Sequence, residues 1–465
     1  MVFEQFYLGC LSHASYLIGS EGIAAVVDPQ RDVGLYLEEA RKRGLSIAYV
    51  IETHLHADFV SGHRELAALT GARIYLGAES GAEFLHAAVR DRDELVFGRC
   101  RLKFLETPGH SLDSISILVT DLDRSPEPFA VLTGDTLFIG DVGRPDLSKG
   151  KNAEEMAALL YRSLHEKLLR LPDDVEIYPA HGAGSLCGKQ LSSETRSTIG
   201  KERLSNYALR AATEDDFIRL ITSELPERPA YFALDKEINR AGAPLLSEIP
   251  CAPALRPGEV VREQEDGAVV LDTRPAAQFA AAHVPGSVHI GLAGQFAVWA
   301  GALLGLCTRL VIVAENPESI LETRIRLARV GIESIVGYLK DGVAGWAREG
   351  MPLEQTHQIS VEELYRRLAS GPGSVRTVDV RRPSEWAEGH IEGAILIPLH
   401  SLTGRLDELD KARPVAAHCK GGYRSAIAAS LLQRSGFQTV FNVTGGFDAW
   451  RACNLPYIRA QQATA

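Results

Sequence analysis

The chain has 465 residues, of which 45% are hydrophobic and 23% are charged, a composition that is ordinary for globular proteins. This length exceeds what one hydrophobic core usually supports, so we expect about three domains. Acidic residues outnumber basic residues by 60 to 49, and the formal net charge of −11 disfavours a nucleic-acid partner, because phosphate binding needs a basic surface.

Cysteine usage and hydrophobic patterning predict a reduced, aqueous compartment. Seven cysteines occur singly, without a CxxC pair, so a disulfide framework is not expected; they lie at positions 10, 100, 187, 251, 307, 419 and 453. The N-terminal segment lacks the basic and apolar regions of a signal peptide, and no apolar run approaches the ~18 residues of a membrane span. We therefore predict a cytoplasmic protein without a membrane partner.

The first region of the chain, residues 1–185, alternates short apolar runs with turns rich in Gly, Asp and His. Runs at 24–27, 49–51, 115–119 and 131–132 predict buried strands, and patterns at 33–43, 63–69 and 153–171 predict helices. Residues 186–257 are more polar and predict a helical segment that ends in a proline-rich linker. Together these features predict an α/β domain with a helical extension over residues 1–245.

The remainder of the chain contains two related copies. The sequence VVLDTRPAAQFAAAHVPGSVHI at 269–290 corresponds to TVDVRRPSEWAEGHIEGAILI at 377–397. The distance along the chain between these two segments is typical of a duplicated domain and too long for the repeat of a solenoid protein. Because strand and helix patterns alternate in both copies, we predict two parallel α/β domains, a middle copy over 258–354 and a third copy over 358–460.

Four polar elements in the first domain follow apolar runs and together favour a metal site. Their histidines and aspartates are His54, His56, Asp58, His110, Asp135 and His181. If the runs are strands of one sheet, these side chains converge at its edge. Imidazole and carboxylate ligands suit zinc or iron, and two histidines with one carboxylate and open positions suit non-haem Fe(II). The alternative is that each residue only caps a strand or turn.

This order of elements resembles the metallo-β-lactamase superfamily, whose signature is HxHxDH followed by a His, an Asp and a final His. The resemblance covers residues 5–185 and implies an αββα sandwich. Phe59 stands where the binuclear zinc hydrolases of the superfamily have a metal-binding His. Because a phenyl ring cannot bind a metal, this departure favours a single ion and disfavours the alternative function, a dizinc thioester hydrolase of the glyoxalase II type.

Within the superfamily, GDTLFIGDVGRPDL at 134–147 and YPAHGAGSLCG at 178–188 are similar to persulfide dioxygenases. This resemblance implies one Fe(II) per N-terminal domain, held by His54, His110 and Asp135. Supporting positions around those ligands would be taken by His56, Asp58 and His181. The implied reaction oxidises a low-molecular-weight persulfide, such as glutathione persulfide, with O₂ to sulfite and thiol, which redox-silent zinc could not support.

Two further residues are candidates for contact with the substrate. Arg144, in the GRPD sequence, is expected to hold a carboxylate or phosphate of the substrate, with a salt bridge as the alternative interpretation. Cys187 follows His181 closely and is expected to line the pocket or take up persulfide sulfur, with a structural thiol as the alternative.

A glycine-rich loop in the third copy, AHCKGGYRS at 417–425, predicts an anion cradle at the start of a helix. Its resemblance to the rhodanese active-site loop implies that Cys419 is the nucleophile, that Asp379 and His390 give structural support, and that the cradle comprises Lys420, Gly421, Gly422, Tyr423 and Arg424. Four residues separate the Cys from the Arg, whereas related phosphatases use five, so one sulfur atom fits better than a phosphate.

The middle copy has no cysteine in the aligned segment VIVAENPESILETR at 311–324, and Glu315 lies near the expected nucleophile position. We therefore expect it to act as a spacer, a dimer contact or a docking surface. The fusion as a whole predicts persulfide oxidation coupled to sulfane-sulfur transfer that forms or uses thiosulfate. Relatives of the first domain commonly associate, which makes a homo-oligomer one possible form, but the sequence itself does not encode the oligomeric state. A non-enzymatic role in sensing a metal or a persulfide is a further alternative.

Overall fold

The computed structural model describes residues 1–148, 150–223, 225, 227–371 and 373–459. These residues form two compact units. The first consists of Met1–Pro250 and Leu327–Gly331, and the second consists of Cys251–Arg326 and the described residues from Ile332 onward. Residue 460, with which the third predicted domain ends, lies outside the described residues.

Two β-sheets form the centre of the first unit. Their strands are β1 (Val2–Leu8), β2 (His13–Ser20), β3 (Ile23–Val27), β4 (Ser46–Ile51), β5 (Arg73–Gly77), β6 (Ala87–Val89), β7 (Glu94–Phe97), β8 (Cys100–Glu106), β9 (Ile115–Asp121), β10 (Ala130–Gly134), β11 (Glu176–Pro179) and β12 (Ser197–Thr198). The first sheet has the order β1-β2-β3-β4-β5-β6, antiparallel up to β3 and parallel from β3 to β6. The second has the order β12-β11-β10-β9-β8-β7, in which β10 and β11 are parallel and the other neighbours antiparallel.

Helices cover the outer faces of both sheets. They are α1 (Gly34–Lys42), α2 (His63–Thr70), α3 (Ala153–Arg162), α4 (Ile199–Ser205), α5 (Glu214–Thr222) and α6 (Phe232–Ala241). The layering follows from alternation along the strands: in β9, Ile117 and Val119 pack between the sheets, whereas Leu118 packs outward against Leu160 of α3 and Phe217 of α5. On the other side, α1 and α2 pack on the first sheet. This arrangement is the predicted αββα sandwich.

The predicted elements of the first unit have counterparts in the structure, with one difference. The four predicted strands correspond to β3, β4, β9 and β10, and the first two predicted helices to α1 and α2. The predicted helix over 153–171 ends as an α-helix at Arg162 and continues as a π turn (Ser163–Lys167) and a 3-10 turn (Leu168–Arg170). The polar segment after residue 186 contains α4, α5 and α6, as predicted, and also β12, which periodicity did not indicate.

The second unit contains two sheets of the same design. The middle copy has β13 (Ala254–Leu255), β14 (Val269–Asp272), β15 (Val288–His289), β16 (Leu310–Val313) and β17 (Ile335–Leu339), with α7 (Pro257–Glu265), α8 (Ala276–Ala281), α9 (Phe296–Leu304), α10 (Pro317–Ala328) and α11 (Gly342–Arg348). The third copy has β18 (His357–Ile359), β19 (Arg376–Asp379), β20 (Ile395–Leu396), β21 (Val415–His418) and β22 (Val440–Val443), with α12 (Val361–Ala369), α13 (Pro383–Glu388), α14 (Tyr423–Arg434) and α15 (Gly446–Ala452).

Both sheets of the second unit are parallel, as the alternation of strands and helices predicted. Their orders, β13-β17-β16-β14-β15 and β18-β22-β21-β19-β20, are equivalent. Strand β13 precedes the predicted start of the middle copy at residue 258. Across the described ranges, no helix has both the length and the apolar composition that crossing a lipid bilayer requires.

Paired residues of the two copies make the same internal contacts. In the third copy, Asp379 forms a buried ion pair with Arg381 at 2.6 Å, and the indole N–H of Trp450 donates to Pro456 O at 2.9 Å. The imidazole of His390 lies stacked on Trp386. The equivalent contacts in the middle copy are Asp272–Arg274, Trp346–Pro352 and His283–Phe279. The repeated motifs therefore build the scaffold that both copies share.

Candidate metal centre and sulfur-transfer loop

Four strand ends bring the predicted metal-binding residues of the first unit together. His54 follows β4, His110 follows β8, Asp135 follows β10 and His181 follows β11. All four side chains are buried. The ligand atoms of His54, His110 and Asp135 lie within 4.8 Å of one another, so this trio forms a possible three-ligand site for a metal ion.

The two oxygens of the Asp135 carboxylate have different surroundings. Oδ1 accepts a hydrogen bond from Nδ1 of His181 at 2.8 Å. Oδ2 is buried without a hydrogen-bond donor and lies 3.8 Å from Nε2 of His54 and 3.5 Å from Nε2 of His110. A buried carboxylate oxygen without a donor, facing two imidazole nitrogens, is an arrangement that a cation would complete.

The two imidazoles are fixed in the tautomer that can bind a metal. Nδ1 of His110 donates to the carbonyl oxygen of Arg144 at 3.0 Å. Nδ1 of His54 lies 3.1 Å from Oγ1 of Thr53, whose own hydroxyl donates to Asp28. Burial lowers the pKa of both imidazoles, so each is neutral with an electron pair on Nε2.

His181 connects the trio to a second group of predicted residues. Its Nε2 lies 2.9 Å from Oδ2 of Asp58. Burial opposes protonation of His181, but the Asp135 and Asp58 carboxylates outweigh burial and raise its pKa well above the usual value. His56 instead faces Asp28 at 3.2 Å. The ligand atoms of His56, Asp58 and His181 form a second group that lies within 4.8 Å of one another, and their supporting role around the trio stays a prediction.

The Phe59 ring occupies the space beside this second group. Its centroid lies 4.4 Å from that of His56 and 4.2 Å from that of His13, and the side chain is fully buried. His13, in β2, was missed in the sequence because it belongs to none of the metal motifs. The apolar ring fills a position where a second ion would need a ligand.

Asn239 of the helical extension holds the loop that carries these residues. Its side-chain amide donates to the carbonyl oxygens of His56 (2.8 Å) and Phe59 (2.7 Å), and its oxygen accepts from the Ser61 amide at 2.9 Å. The residue is buried. The sequence offered no signal for this role, because the partners are backbone atoms more than 170 positions away.

A pocket of about 260 Å³ opens beside the trio. Leu55 and Ala57, which flank His56, line one part of it. Another part is lined by the cations Arg228, Lys236 and Arg240 together with the carboxylates Glu79, Asp113 and Glu237. No local pattern in the sequence marks these three cations, which belong to the helical extension. The lining therefore carries both signs of charge in equal number, and Arg240 is already paired with Glu83 and Glu237.

Arg144 does not line this pocket. Its guanidinium donates to both carboxylate oxygens of Asp146 at 2.7 and 2.8 Å, and also to Leu186 O at 3.1 Å. The side chain is almost completely buried. This arrangement agrees with the salt-bridge interpretation of Arg144 and not with the substrate-binding one, because the guanidinium is already paired and inaccessible.

Cys187 lies within the centre, with its sulfur within 4.8 Å of ligand atoms of Asp135 and His181. Burial, together with the nearby carboxylates Asp58 and Asp135, raises the pKa of its thiol well above the usual value. A protonated thiol is a poor nucleophile, and Cys187 is not among the residues that line the pocket, so both roles expected for this cysteine stay predictions.

In the third copy, the predicted loop joins β21 to α14 and surrounds Cys419. The Gly422 amide donates to Sγ at 3.1 Å, and the Ser425 hydroxyl lies 3.6 Å from Sγ. Gly422 has a φ of +107°, a conformation that glycine adopts without strain. The carbonyl oxygens of Cys419 and Lys420 accept from the amides of Phe447 and Asp448, at 2.7 and 3.0 Å, at the start of α15.

Arg424 has a partner that the sequence analysis missed. Its guanidinium forms two hydrogen bonds of 2.7 Å with the carboxylate of Glu385 in α13. Burial opposes ionisation of Glu385, but the bonds from Arg424 outweigh it and lower the pKa of the carboxyl to about 2. The cradle therefore relies on backbone amides more than on the Arg424 charge, whereas Lys420 is exposed at the loop.

Strand register identifies the equivalent of Cys419 in the middle copy. Asp379 pairs with His418, and the equivalent Asp272 pairs with Val313. The next residue, Ala314, thus takes the position of Cys419, with Glu315 one residue further on. Helix α10 begins at Pro317, so the loop is also shorter. The middle copy has neither the nucleophile nor a loop as long as the one that surrounds Cys419.

Comparison with known proteins agrees with this architecture. Residues 8–181 match the metallo-beta-lactamase superfamily, and residues 256–349 and 360–453 each match the rhodanese-like domain. Persulfide dioxygenase ETHE1 from Bos taurus is 32% identical over 215 residues, which are 44% of this chain and 75% of that protein. The chain belongs to the metallo-β-lactamase superfamily. More specifically, it combines an ETHE1-like domain with tandem rhodanese domains.

Other relatives of this metallo-β-lactamase–rhodanese fusion match either one part of the chain or most of it. A hydroxyacylglutathione hydrolase from Hahella chejuensis is 31% identical and aligns with 53% of this chain and 91% of its own length. A sulfurtransferase from Allochromatium vinosum is 37% identical, over 22% of this chain and 94% of its own length. The crystal structure of a metallo-beta-lactamase from Staphylococcus aureus is 34% identical, covers 73% of this chain and 99% of its own, and has a TM-score of 0.66.

Replacement of Asn239 should loosen the metal-binding loop. Asn239→Ala leaves three buried backbone groups without partners, at roughly 1–3 kcal/mol each, so we expect lower stability of the first unit. We also expect metal affinity to fall about tenfold, as for other residues that orient ligands. Denaturant unfolding and metal content after dialysis measure these effects. Asn442→Ala, a buried asparagine of the third copy, is the control; metal retention equal to wild type in Asn239→Ala would contradict the prediction.

A methyl group at Gly446 should displace the Cys419 loop. Gly446 has a φ of +57°, and a Cβ there would overlap the carbonyl oxygens of Cys419 and Lys420. Gly446→Ala should lower the rate of sulfur transfer from thiosulfate about 100-fold, because small displacements of reacting groups have large effects. Gly436→Ala is the control, since Gly436 also has a positive φ but no atom within 4 Å of the added Cβ. Equal rates in both variants would show that the overlap is tolerated.

Proposed function

We propose that the first domain is a mononuclear iron persulfide dioxygenase and that the third copy transfers sulfane sulfur through Cys419. The observation that carries the first part is the buried Oδ2 of Asp135, which faces Nε2 of both His54 and His110 and has no hydrogen-bond donor. The neighbouring Phe59 ring supports a single ion. The similarity to persulfide dioxygenase ETHE1 supports the reaction type.

His54, His110 and Asp135 would hold Fe(II), and the donor set fits that ion. Two imidazoles and one carboxylate leave coordination positions open, as in non-haem iron oxygenases. Iron bound there supplies O₂ activation, which zinc does not offer. The chain's own contribution is to keep both imidazoles neutral, to hold Asp135 through His181, and to keep the surrounding site buried.

The pocket supports a low-molecular-weight persulfide with ionised groups as the substrate, because both cations and carboxylates line it. Lys236 and Arg228 lie in the helical extension, and Leu55 and Ala57 connect the pocket with the trio. Carboxylates of a thiol carrier such as glutathione would bind the cations and direct the persulfide sulfur towards the metal centre. The overall reaction consumes the persulfide, O₂ and water, and releases thiol and sulfite.

The third copy would carry sulfur as a cysteine persulfide. The Cys419 thiolate attacks the outer sulfur of a donor, the donor's S–S bond breaks, and a thiolate or sulfite leaves. The Gly422 amide and the rest of the loop stabilise the anionic sulfur, since backbone N–H groups at a helix start bind anions. Sulfite can then take the sulfur to give thiosulfate, and the reverse sequence uses thiosulfate as the donor. Among the seven cysteines none is paired, which supports a reducing compartment such as the cytoplasm.

The alternative is a dizinc thioester hydrolase fused to a sulfurtransferase. It is favoured by the similarity to hydroxyacylglutathione hydrolases and by the second group of close ligand atoms in His56, Asp58 and His181. Against it, Phe59 packs directly on His56, and His181 is paired with two carboxylates.

Metal analysis and oxygen uptake test the dioxygenase. Protein purified without oxygen should hold one iron per chain and consume O₂ when glutathione persulfide is added. His110→Gln removes one ligand and should lower iron content and oxygen uptake at least tenfold. His165→Gln, which changes a half-buried histidine of the π turn, is the matched control and should retain both. Two zinc ions per chain and thioester hydrolysis without oxygen uptake would establish the alternative.

Replacement of Cys419 tests the coupling of the two sites. Cys419→Ser cannot form a persulfide, so oxygen uptake should continue while the ratio of sulfite to thiosulfate among the products rises several-fold. Cys453→Ser, which changes an exposed cysteine of the same copy, should leave the ratio unchanged. An unchanged ratio in Cys419→Ser would mean that the third copy does not act on the products of the first domain.

A further inference from the structure

Helix α14, which begins in the Cys419 cradle, packs against the middle copy along its length. Near its C-terminal end, the Ser430 hydroxyl accepts a hydrogen bond from the His289 amide at 3.0 Å, and both residues are buried. At its last residue, the guanidinium of Arg434 donates to Gly286 O at 2.6 Å. The middle copy uses β15 and the turn before it for these contacts.

At the other end of the helix, Tyr423 connects the cradle itself to the middle copy. Tyr423 is the last loop residue before Arg424, and its hydroxyl donates to Gly291 O at 2.8 Å. The ring lies over Gly294, whose φ is +70°; a Cβ at that position would be 3.5 Å from the ring. Segment 291–294 therefore provides the surface on which the Tyr423 ring packs.

Arg326, in the middle copy, holds this segment in place through hydrogen bonds. Its guanidinium donates to Leu292 O at 2.6 Å and to Gly294 O at 3.1 Å, and lies 5.4 Å from the centre of the Phe296 ring. Arg326 lies in α10, the helix that corresponds to α14. The side chain is largely buried, so the carbonyl groups it holds have few alternative positions.

The loop needs such support because of its composition. Gly421 and Gly422 give the backbone between Cys419 and Tyr423 considerable freedom, and anion binding requires its amides to be aligned. The amides at the start of α15 fix the carbonyl oxygens of Cys419 and Lys420 on one side. On the other side, the hydroxyl of Tyr423 makes its hydrogen bond with an atom of the middle copy.

We infer that the middle copy, which lacks a nucleophile, positions the sulfur-transfer loop of the third copy. Tyr423 is a positioning residue, and segment 291–294 is the surface that it contacts. Arg326 holds that segment in place. The retained scaffold of the middle copy then contributes to sulfur transfer without binding sulfur. The inference rests on the proposed function of Cys419 for its activity readout alone.

Tyr423→Phe in the full-length protein tests the inference with the loss of one oxygen atom. We expect sulfur transfer from thiosulfate to slow about two- to tenfold, the equivalent of one ordinary hydrogen bond. We also expect the pH midpoint for alkylation of Cys419 by iodoacetamide, followed by peptide mass spectrometry, to rise, because misaligned amides stabilise the thiolate less. Tyr365→Phe, an exposed tyrosine of α12, is the matched control and should change neither quantity.

A double-mutant cycle that combines Tyr423→Phe with Arg326→Met tests whether Arg326 influences sulfur transfer through the segment that Tyr423 contacts. If Arg326 acts through the surface that Tyr423 contacts, the double variant should lose little more activity than the more affected single variant. Independent, multiplicative losses would overturn the role of Arg326. If Arg326→Met does not fold, Tyr423→Phe alone still decides the role of the tyrosine.

The outcomes separate positioning from simple packing. A lower melting temperature for Tyr423→Phe with unchanged alkylation and transfer would overturn the inference, because the contact would then only join the copies. Oxygen uptake with glutathione persulfide should equal that of wild type in every variant. If wild type transfers no sulfur, the proposed function fails, whereas the alkylation profile still tests the positioning of the loop.

Discussion

The first site depends on the different surroundings of the two oxygens of the Asp135 carboxylate. One oxygen is bound by His181, and the other faces His54 and His110 without a donor. Burial alone would raise the pKa of this carboxyl, but the three imidazoles hold it well below the usual value. A buried carboxylate needs a compensating positive charge. Because His181 already binds Oδ1, a cation would bind at Oδ2.

The second unit shows how duplication separates scaffold from chemistry. Both copies keep the aspartate–arginine ion pair and the tryptophan that closes the domain, because these contacts stabilise any sheet of this design. The loop after the third strand in the sheet order is under a different constraint, since it needs a cysteine and enough residues to surround one sulfur. The middle copy lacks such a loop but has the surface that contacts α14.

Local patterns were sufficient where function and fold depend on residues near in sequence. The strands before His54 and Asp135, the duplicated parallel sheets and the glycine-rich Cys419 loop could be predicted, because alternation, turns and motif spacing are local properties. The αββα layers were instead implied by the resemblance to the metallo-β-lactamase superfamily. Arg144 could not be interpreted in this way: its sequence neighbour Asp146 neutralises it, and only side-chain geometry shows that the two are paired. Likewise, Glu385 neutralises Arg424 from a separate helix.

By itself, the sequence determined which residue types stand at the strand ends, that Phe59 cannot bind a metal, and that a single copy carries a cysteine in its loop. These follow from the chemistry of individual side chains and from short-range periodicity. Only the tertiary structure decided that Asn239 holds the metal-binding loop, that Lys236 and Arg228 line the pocket, and that Tyr423 contacts the middle copy. Those roles depend on distances between residues far apart in the chain, and a hydrogen bond exists only when folding brings its two atoms within about 3 Å.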